Sequence, residues 1–309
     1  VTTYLQCKTL GFDALGIAET WDKRPEKRAC AHYICSEPAT ADDKAAGVAI
    51  MLSDRAAKAV LGSGAVGNRH CWVRLRTAGP TLFIVMSYIE CKGRRAAGAA
   101  AARHCFDKAR KCLEKAKDGD ILVWMGDMNV RLGRDTECTG HYTIHKETSV
   151  AGLEMVQVLR DFNMCAASTF KAQRKRKNNG RAINSGSAAT YTPPKNSRNQ
   201  RPAQLDYVCI SNRWKSSLNE CRIRWDVCHE RHGASRQDHA LLACKLKCKL
   251  GTPAKAPPRI DLCALRDDPV VRADFDVAVS THAGLAPTAS QLERQRIAKA
   301  RSRHHEKHP

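Results

Sequence analysis

Ile-Leu-Val-Trp-Met-Gly-Asp-Met-Asn, residues 121–129, runs five apolar residues straight into a glycine, an acid and an amide. A continuous apolar run of this length fits a strand buried on both faces, because each face must meet other protein. A carboxylate abutting such a strand costs desolvation unless something pairs with it. Working outward, Asp118-Gly119-Asp120 breaks the chain ahead of the strand. Before that, Ala96–Lys117 is rich in Ala, Lys and Arg, with Phe106, Ala109, Leu113 and Ala116 on one face, which predicts a helix. Leu82–Tyr88 is a second near-continuous apolar run, entered through Gly79-Pro80. Cys71–Arg76 alternates apolar with basic residues, the period of a half-buried strand. Buried strands with a helix between them make this an α/β chain.

The flanks read in the same style. Tyr4–Leu10 has helical spacing, and Asp13–Ala18 is a buried strand that stops at Glu19-Thr20-Trp21. Ala31–Ser36 and Val48–Ser53 are short strand candidates, the second opened by Gly47. Thr40-Ala41-Asp42-Asp43 lies in a polar loop. Gly152–Phe162 is an amphipathic helix, and Met164–Ala167, Ala189–Thr192, Leu205–Ile210, Cys221–Val227 and His239–Leu250 follow as strands. In the last, Leu242, Cys244, Leu246, Cys248 and Leu250 fall on one side and Lys245, Lys247 and Lys249 on the other. Two sheets packed face to face with helices outside would satisfy both kinds of run. One domain over residues 1–250 is the simplest account. Residues 251–258 form a Pro/Ala linker, Ile260–Val279 offers one helix after Asp268-Pro269, and Gln291–Lys307 is a charged tail. The chain opens on Val1 in amphipathic sequence, so it is expected to be a fragment of a longer one.

Composition bounds the function. With 309 residues and 43% hydrophobic content, the chain can build a sizeable core. No apolar run approaches the roughly 18–20 residues of a membrane span. No basic-then-apolar leader opens the sequence, so an intracellular, nuclear location is expected. The fifteen cysteines are scattered singly and contain no C-x-x-C pair. Many, such as Cys209 and Cys244, stand at apolar positions of periodic segments and are read as small free hydrophobes in a reducing compartment. Cys30/His32/Cys35 and Cys221/Cys228/His229/His232 lack the paired short spacings of structural zinc.

A net charge of +21 implies a polyanionic partner. Residues 171–201 concentrate it, with nine Lys or Arg and no acid among abundant Asn, Gly and Ser. A loop tracking a phosphate backbone has this composition, and so does a plain solvated loop.

Four segments set acids or a histidine at the ends of apolar strands: Glu19, Asp127, Asp206 and the Asp238-His239 pair. Clustered at one rim, such carboxylates would suit a hard cation such as Mg²⁺, which takes oxygen ligands and substrate phosphates. Glu19-Thr20, Tyr88 after its strand, Gly126-Asp127-Met128-Asn129, Thr190-Tyr191-Thr192-Pro193-Pro194, Leu205-Asp206-Tyr207-Val208 and Gln237-Asp238-His239 together resemble the endonuclease/exonuclease/phosphatase family, in the family's own order. The resemblance covers roughly residues 2–250, and within that superfamily it is nearest to the endonuclease domain of non-LTR retrotransposon polyproteins. Residues 258–276 are similar to the connector that precedes the reverse transcriptase in such polyproteins.

The resemblance implies a four-layer α/β sandwich of two mixed sheets flanked by helices, and Mg²⁺-dependent hydrolysis of DNA phosphodiesters, with Mn²⁺ as a substitute. It implies Glu19 as a metal ligand and Asp238 as a further one. Asp127 would orient or deprotonate the attacking water, and Asn129 would hydrogen-bond the scissile phosphate. Tyr88 would contact the phosphate or the leaving oxygen, and His239, oriented by Asp206, would contact a non-bridging oxygen. Arg174, Lys175, Arg176, Lys177 and Arg181 become DNA phosphate neighbours. DNA is the expected partner, with RNA of the element a further one, and no membrane or small-molecule cofactor is expected. The family's first strand is expected to be missing, since the chain starts after the place where it would stand. Ile89-Glu90 replace the small residue and proline usual after the tyrosine, and Gln237 replaces a serine. The alternatives are a non-cutting nucleic-acid-binding relative and a small-substrate phosphoesterase of the same fold.

Overall fold

A computed structural model describes residues 11–21, 23, 32–40, 43, 46–90, 96–170, 177–178, 181–182, 188–193, 201–225, 227, 238–251, 268–282, 288, 291–292 and 294–295. The chain divides into two compact units, Val1–Pro253 and Ala254–Pro309.

In the first unit β1 (Ala14–Ala18), β2 (Tyr33–Cys35) and β3 (Val48–Leu52) precede a short helix α1 (Asp54–Lys58), capped by Ser53. Then come β4 (Val60–Ala65), β5 (His70–Leu75), β6 (Leu82–Tyr88), α2 (Ala96–Leu113) and β7 (Ile121–Asp127). The second half holds α3 (Val150–Asp161), β8 (Met164–Cys165), β9 (Lys177–Asn178) and β10 (Arg181–Ala182). It closes with β11 (Asp206–Ser211), β12 (Leu218–Arg224) and β13 (Leu241–Leu246).

The main sheet has six strands in the order β4-β5-β6-β7-β11-β8. Only β6 and β7 run parallel, and α2 is the crossover that a parallel pair requires. Their unbroken apolar runs are explained by burial on both faces. Phe83, Val85, Leu122 and Trp124 face Phe106, Ala109 and Leu113 of α2 and Met155, Val158 and Leu159 of α3. The alternate residues Ile84, Met86, Ile121 and Val123 face Val48, Ile50 and Leu52 of β3. Leu242, Cys244, Leu246, Cys248 and Leu250 pack on the same side, as their alternation predicts, although the strand itself ends at Leu246. The second strand layer consists of the sheets β1-β3-β2 and β12-β13. This is the mixed α/β arrangement expected from the sequence.

Several elements differ from the sequence reading. Val60–Ala65 forms an edge strand despite two glycines, because the indole of Trp72 on β5 occupies the space a side chain at Gly64 would need. Ala189–Thr192 is no strand, and only Tyr191 makes isolated bridges, to Ala203 and His239. Cys244 on β13, read as a free apolar cysteine, stands directly opposite Cys221 on β12 and forms a disulfide with it. The two strands bring their Cα atoms to 4.3 Å, a cross-strand proximity that sequence spacing cannot reveal. Tyr4–Leu10, Cys30, Cys228, His229 and His232 lie outside the described residues.

The core contains one polar network with a consequence for stability. His70, Ser87 and Trp124 are fully buried. Trp124 Nε1 donates to Ser87 Oγ at 2.8 Å, and His70 Nδ1 lies 2.9 Å from the same oxygen. Burial, with Lys108 and Arg69 nearby, drops the imidazole from 6.5 to about 3, so it folds neutral. An unfolded chain takes up this proton below pH 6.5 and the folded one does not, so stability is full above that pH and declines as pH falls toward about 3. We expect His70→Gln to lose part of the acid slope in urea unfolding between pH 6.5 and 5, a difference of roughly 1–2 kcal/mol. Parallel slopes for the two proteins would contradict a neutral buried His70.

In the second unit α4 (Pro269–His282) begins where Asp268 accepts from Val270 N at 2.7 Å. Thr288 and Gln291 cap each other's backbone N–H reciprocally. Among the described residues no helix is long and apolar enough to cross a membrane.

Candidate active site

The register of three adjacent strands places the chemistry. Tyr88 at the end of β6 is the partner of Asp127 at the end of β7, and Asp127 is the partner of Asp206 at the start of β11. One row across the main sheet therefore carries a phenol and two carboxylates. Gly126 permits this row: it has φ +153°, and a Cβ there would stand 1.9 Å from the Ser87 carbonyl oxygen. Past the strand, the backbone N–H of Asn129 donates to Asp127 Oδ1 at 3.1 Å. Asn129 is left-handed (φ +49°), and its amide Nδ2 donates to Ile89 O at 2.9 Å. One hydrogen of that amide is thus spent on the scaffold, and a second exists for a substrate oxygen.

From the second strand layer, β1 delivers Glu19, whose Oε1 accepts the Tyr88 hydroxyl at 2.8 Å. Glu19 and Trp21 are both left-handed, at φ +50° and +51°. Backbone bonds from Thr20 N to Gly47 O (3.0 Å) and Trp21 N to Ala46 O (3.2 Å) hold this turn. Gly47 is required beside it, because a Cβ there would meet Thr20 Oγ1 at 2.2 Å.

His239 arrives from the segment ahead of β13. Its Nδ1 lies 3.0 Å from Asp206 Oδ2, and its Nε2 lies 4.0 Å from Asp127 Oδ2. Burial works against the charged ring, but the Asp206 hydrogen bond and charge, backed by Asp127 and Asp238, lift it to about 9. Burial and the negative charge of Asp206 push the Asp127 carboxyl well above the carboxylate range, against the pull of His239. Burial and the Glu19 carboxylate push the Tyr88 phenol upward, so it keeps its proton and donates.

Asp127, Asp206 and His239 offer ligand atoms within 4.8 Å of one another. Glu19 reaches this group through Tyr88, and its charge is felt at Asp127. Asp238 adjoins His239 and is anchored through its carbonyl, which accepts Thr192 N at 2.8 Å. Carboxylates dominate the set, and the buried Asp127 and half-buried Asp206 crowd one place, which suits a hard divalent cation. Lys177 and Arg181 sit on the paired strands β9 and β10, whereas Arg174, Lys175 and Arg176 lie outside the described residues.

Thr190 and Tyr191 stand in the motif set, but the sequence does not disclose what they do. Thr190, fully buried, accepts the backbone N–H groups of both Leu205 and Asp206 at 3.0 Å, fixing the start of β11. Tyr191 packs its ring 5.0 Å from the His239 ring. Both belong to the Thr190–Pro193 stretch, where β-branched and aromatic residues before proline signal a strand and disclose nothing about a tie to His239.

Similarity to known proteins accords with this geometry. No protein-family model matches the chain. It is 23% identical over 251 residues to craniofacial development protein 2 of Bos taurus, covering 79% of this chain and 38% of that relative. Among solved structures it is similar to the AP endonuclease LMAP from Leishmania major, with a TM-score of 0.55, 14% identity, and coverage of 78% of this chain and 80% of that one. It is also similar to the endonuclease domain of TRAS1, a telomere-specific non-LTR retrotransposon, with a TM-score of 0.50, 12% identity, and coverage of 79% and 90%. The chain has the endonuclease/exonuclease/phosphatase fold that its motifs imply.

Proposed function

We propose that this chain is a metal-dependent phosphodiesterase acting on DNA, a nicking endonuclease of retrotransposon type that leaves a 3′-hydroxyl. The observation that carries the reading is the meeting of Asp127, Asp206 and His239 at one sheet end, with Tyr88 and Glu19 hydrogen-bonded beside them. Similarity to proteins named as endonucleases supports it. The charge of +21 favours a polymeric anion over a small phosphoester.

The resemblance carried by the motifs makes Glu19 and Asp238 the carboxylates that would hold Mg²⁺, or Mn²⁺ in its place, beside the cluster of Asp127, Asp206 and His239. The cation supplies Lewis-acid charge at the phosphate. Asp127, buried and with a raised affinity for protons, orients the attacking water and accepts its proton. His239, protonated at neutral pH and held by Asp206, donates through Nε2 to a non-bridging oxygen, and the Asn129 amide donates to another. The bond from phosphorus to the 3′ oxygen breaks, Tyr88 turns its phenolic hydrogen from Glu19 to the departing oxygen, and a proton from solvent completes the 3′-hydroxyl. Products are a 5′-phosphate and a 3′-hydroxyl.

Salt separates the polymer reading from a small-substrate one. DNA affinity is expected to fall steeply with salt, and neutralising Arg174, Lys175, Arg176 and Lys177 together flattens that slope by roughly 0.9 for each DNA phosphate these side chains no longer neutralise. Retention of the full slope would remove this loop from the interface. Salt-insensitive turnover of a small phosphoester, without DNA affinity, would replace the endonuclease reading.

A further inference from the structure

Arg69 is only 5% exposed, and its surroundings join two parts of the site that do not otherwise share a strand. Its guanidinium forms a two-pronged pair with Asp43, with Nε 2.9 Å from Oδ2 and Nη2 against Oδ1. Nη2 also lies 3.7 Å from Glu90 Oε1, and the centre of the fork stands 4.9 Å over the Tyr88 ring. Asp43 in turn ties down the loop behind Glu19. Its carbonyl accepts Ala46 N at 3.2 Å, and its Oδ2 accepts Asn68 Nδ2 at 3.2 Å. Asn68 O then accepts Gly47 N at 2.8 Å. Ala46 and Gly47 are the residues whose carbonyls hold the left-handed turn carrying Glu19. A loop closed in this way runs from Arg69 through Asp43, residues 46–47, Glu19 and Tyr88 back to Arg69.

We propose that Arg69 is a positioning residue that sets Tyr88 and Glu19 against each other, fixing the phenol by stacking and the carboxylate through Asp43. The inference rests on the phosphodiesterase reading of the site. Stability alone does not call for this residue, since a buried ion pair is commonly no better than apolar packing of the same volume. A planar fork that can pair with a carboxylate and stack on a ring at once is what the geometry uses, and lysine cannot do both.

The test is a double-mutant cycle between Arg69→Met and Tyr88→Phe, read as kcat and KM for DNA nicking. Mn²⁺ affinity by electron paramagnetic resonance on the same full-length proteins is the second readout. Arg69→Met is expected to lower kcat about 10–100-fold with KM within about threefold, and to weaken Mn²⁺ binding about tenfold. In the Tyr88→Phe background the further loss in kcat shrinks to less than about threefold, because the two act through one contact. Equal losses in both backgrounds, with Mn²⁺ affinity unchanged, would overturn the proposal. If Arg69→Met does not fold, Arg69→Lys carries the same cycle, since it keeps a charge for Asp43 and loses the stack. A wild-type chain that neither nicks nor binds Mn²⁺ sinks the phosphodiesterase reading and this inference with it. One that binds Mn²⁺ without nicking leaves the metal affinity of the Arg69 variant to decide.

Discussion

His239→Ala is expected to lower the rate of DNA nicking by about 10³–10⁴-fold while leaving DNA affinity within about threefold. The imidazole is held as a cation by its neighbours, lifted to about 9 by Asp206, Asp127 and Asp238 against its own burial. Its removal takes away a cationic donor from the phosphate oxygen and leaves the half-buried Asp206 without this hydrogen-bond partner. Binding is expected to be spared, because the proposal gives the phosphate-backbone contacts to the basic residues at 171–201 and not to the histidine. Kinetics of supercoiled plasmid nicking beside a filter-binding titration separate the two effects. Nicking within tenfold of the wild-type rate would remove His239 from the chemistry.

The second large effect concerns folding. Gly126→Ala is expected to destabilise the domain by about 4 kcal/mol, a large share of the roughly 5–15 kcal/mol that keeps a domain folded. Its Cβ would fall 1.9 Å from the Ser87 carbonyl oxygen, and the backbone there holds φ +153°. Neither strain can relax locally, because β6 and β7 are paired along their whole length and covered on both faces. Loss of soluble expression, or a urea midpoint shifted down by more than half, is the expected result. A midpoint near that of the wild type would mean that the two strands can separate at this point.

These two residues illustrate what could be read from the chain and what could not. The apolar runs 82–88 and 121–125 identify the buried central strands because burial on both faces leaves a continuous pattern. Asp127, Asp206 and His239 were legible as a set because acids at strand ends are costly singly and gain sense together. Arg69 was not, since an arginine ahead of an alternating strand reads as a solvent-facing charge, and only the fold buries it on Tyr88. Asp43 likewise lies in a polar loop whose worth depends on a partner 26 residues away. The Cys221–Cys244 pair and the Tyr191–His239 contact arise the same way, from residues that the fold sets side by side and no local spacing encodes. The edge strand Val60–Ala65 was hidden by its glycines, which make room for the Trp72 indole.

Incubation of supercoiled plasmid with the full chain in Mg²⁺, beside the same reaction in EDTA, tests the central claim most directly. Conversion to the nicked circle is predicted only with the metal, at ends that a DNA polymerase extends without prior treatment. A folded, DNA-binding chain that leaves the plasmid supercoiled in both Mg²⁺ and Mn²⁺ would contradict it.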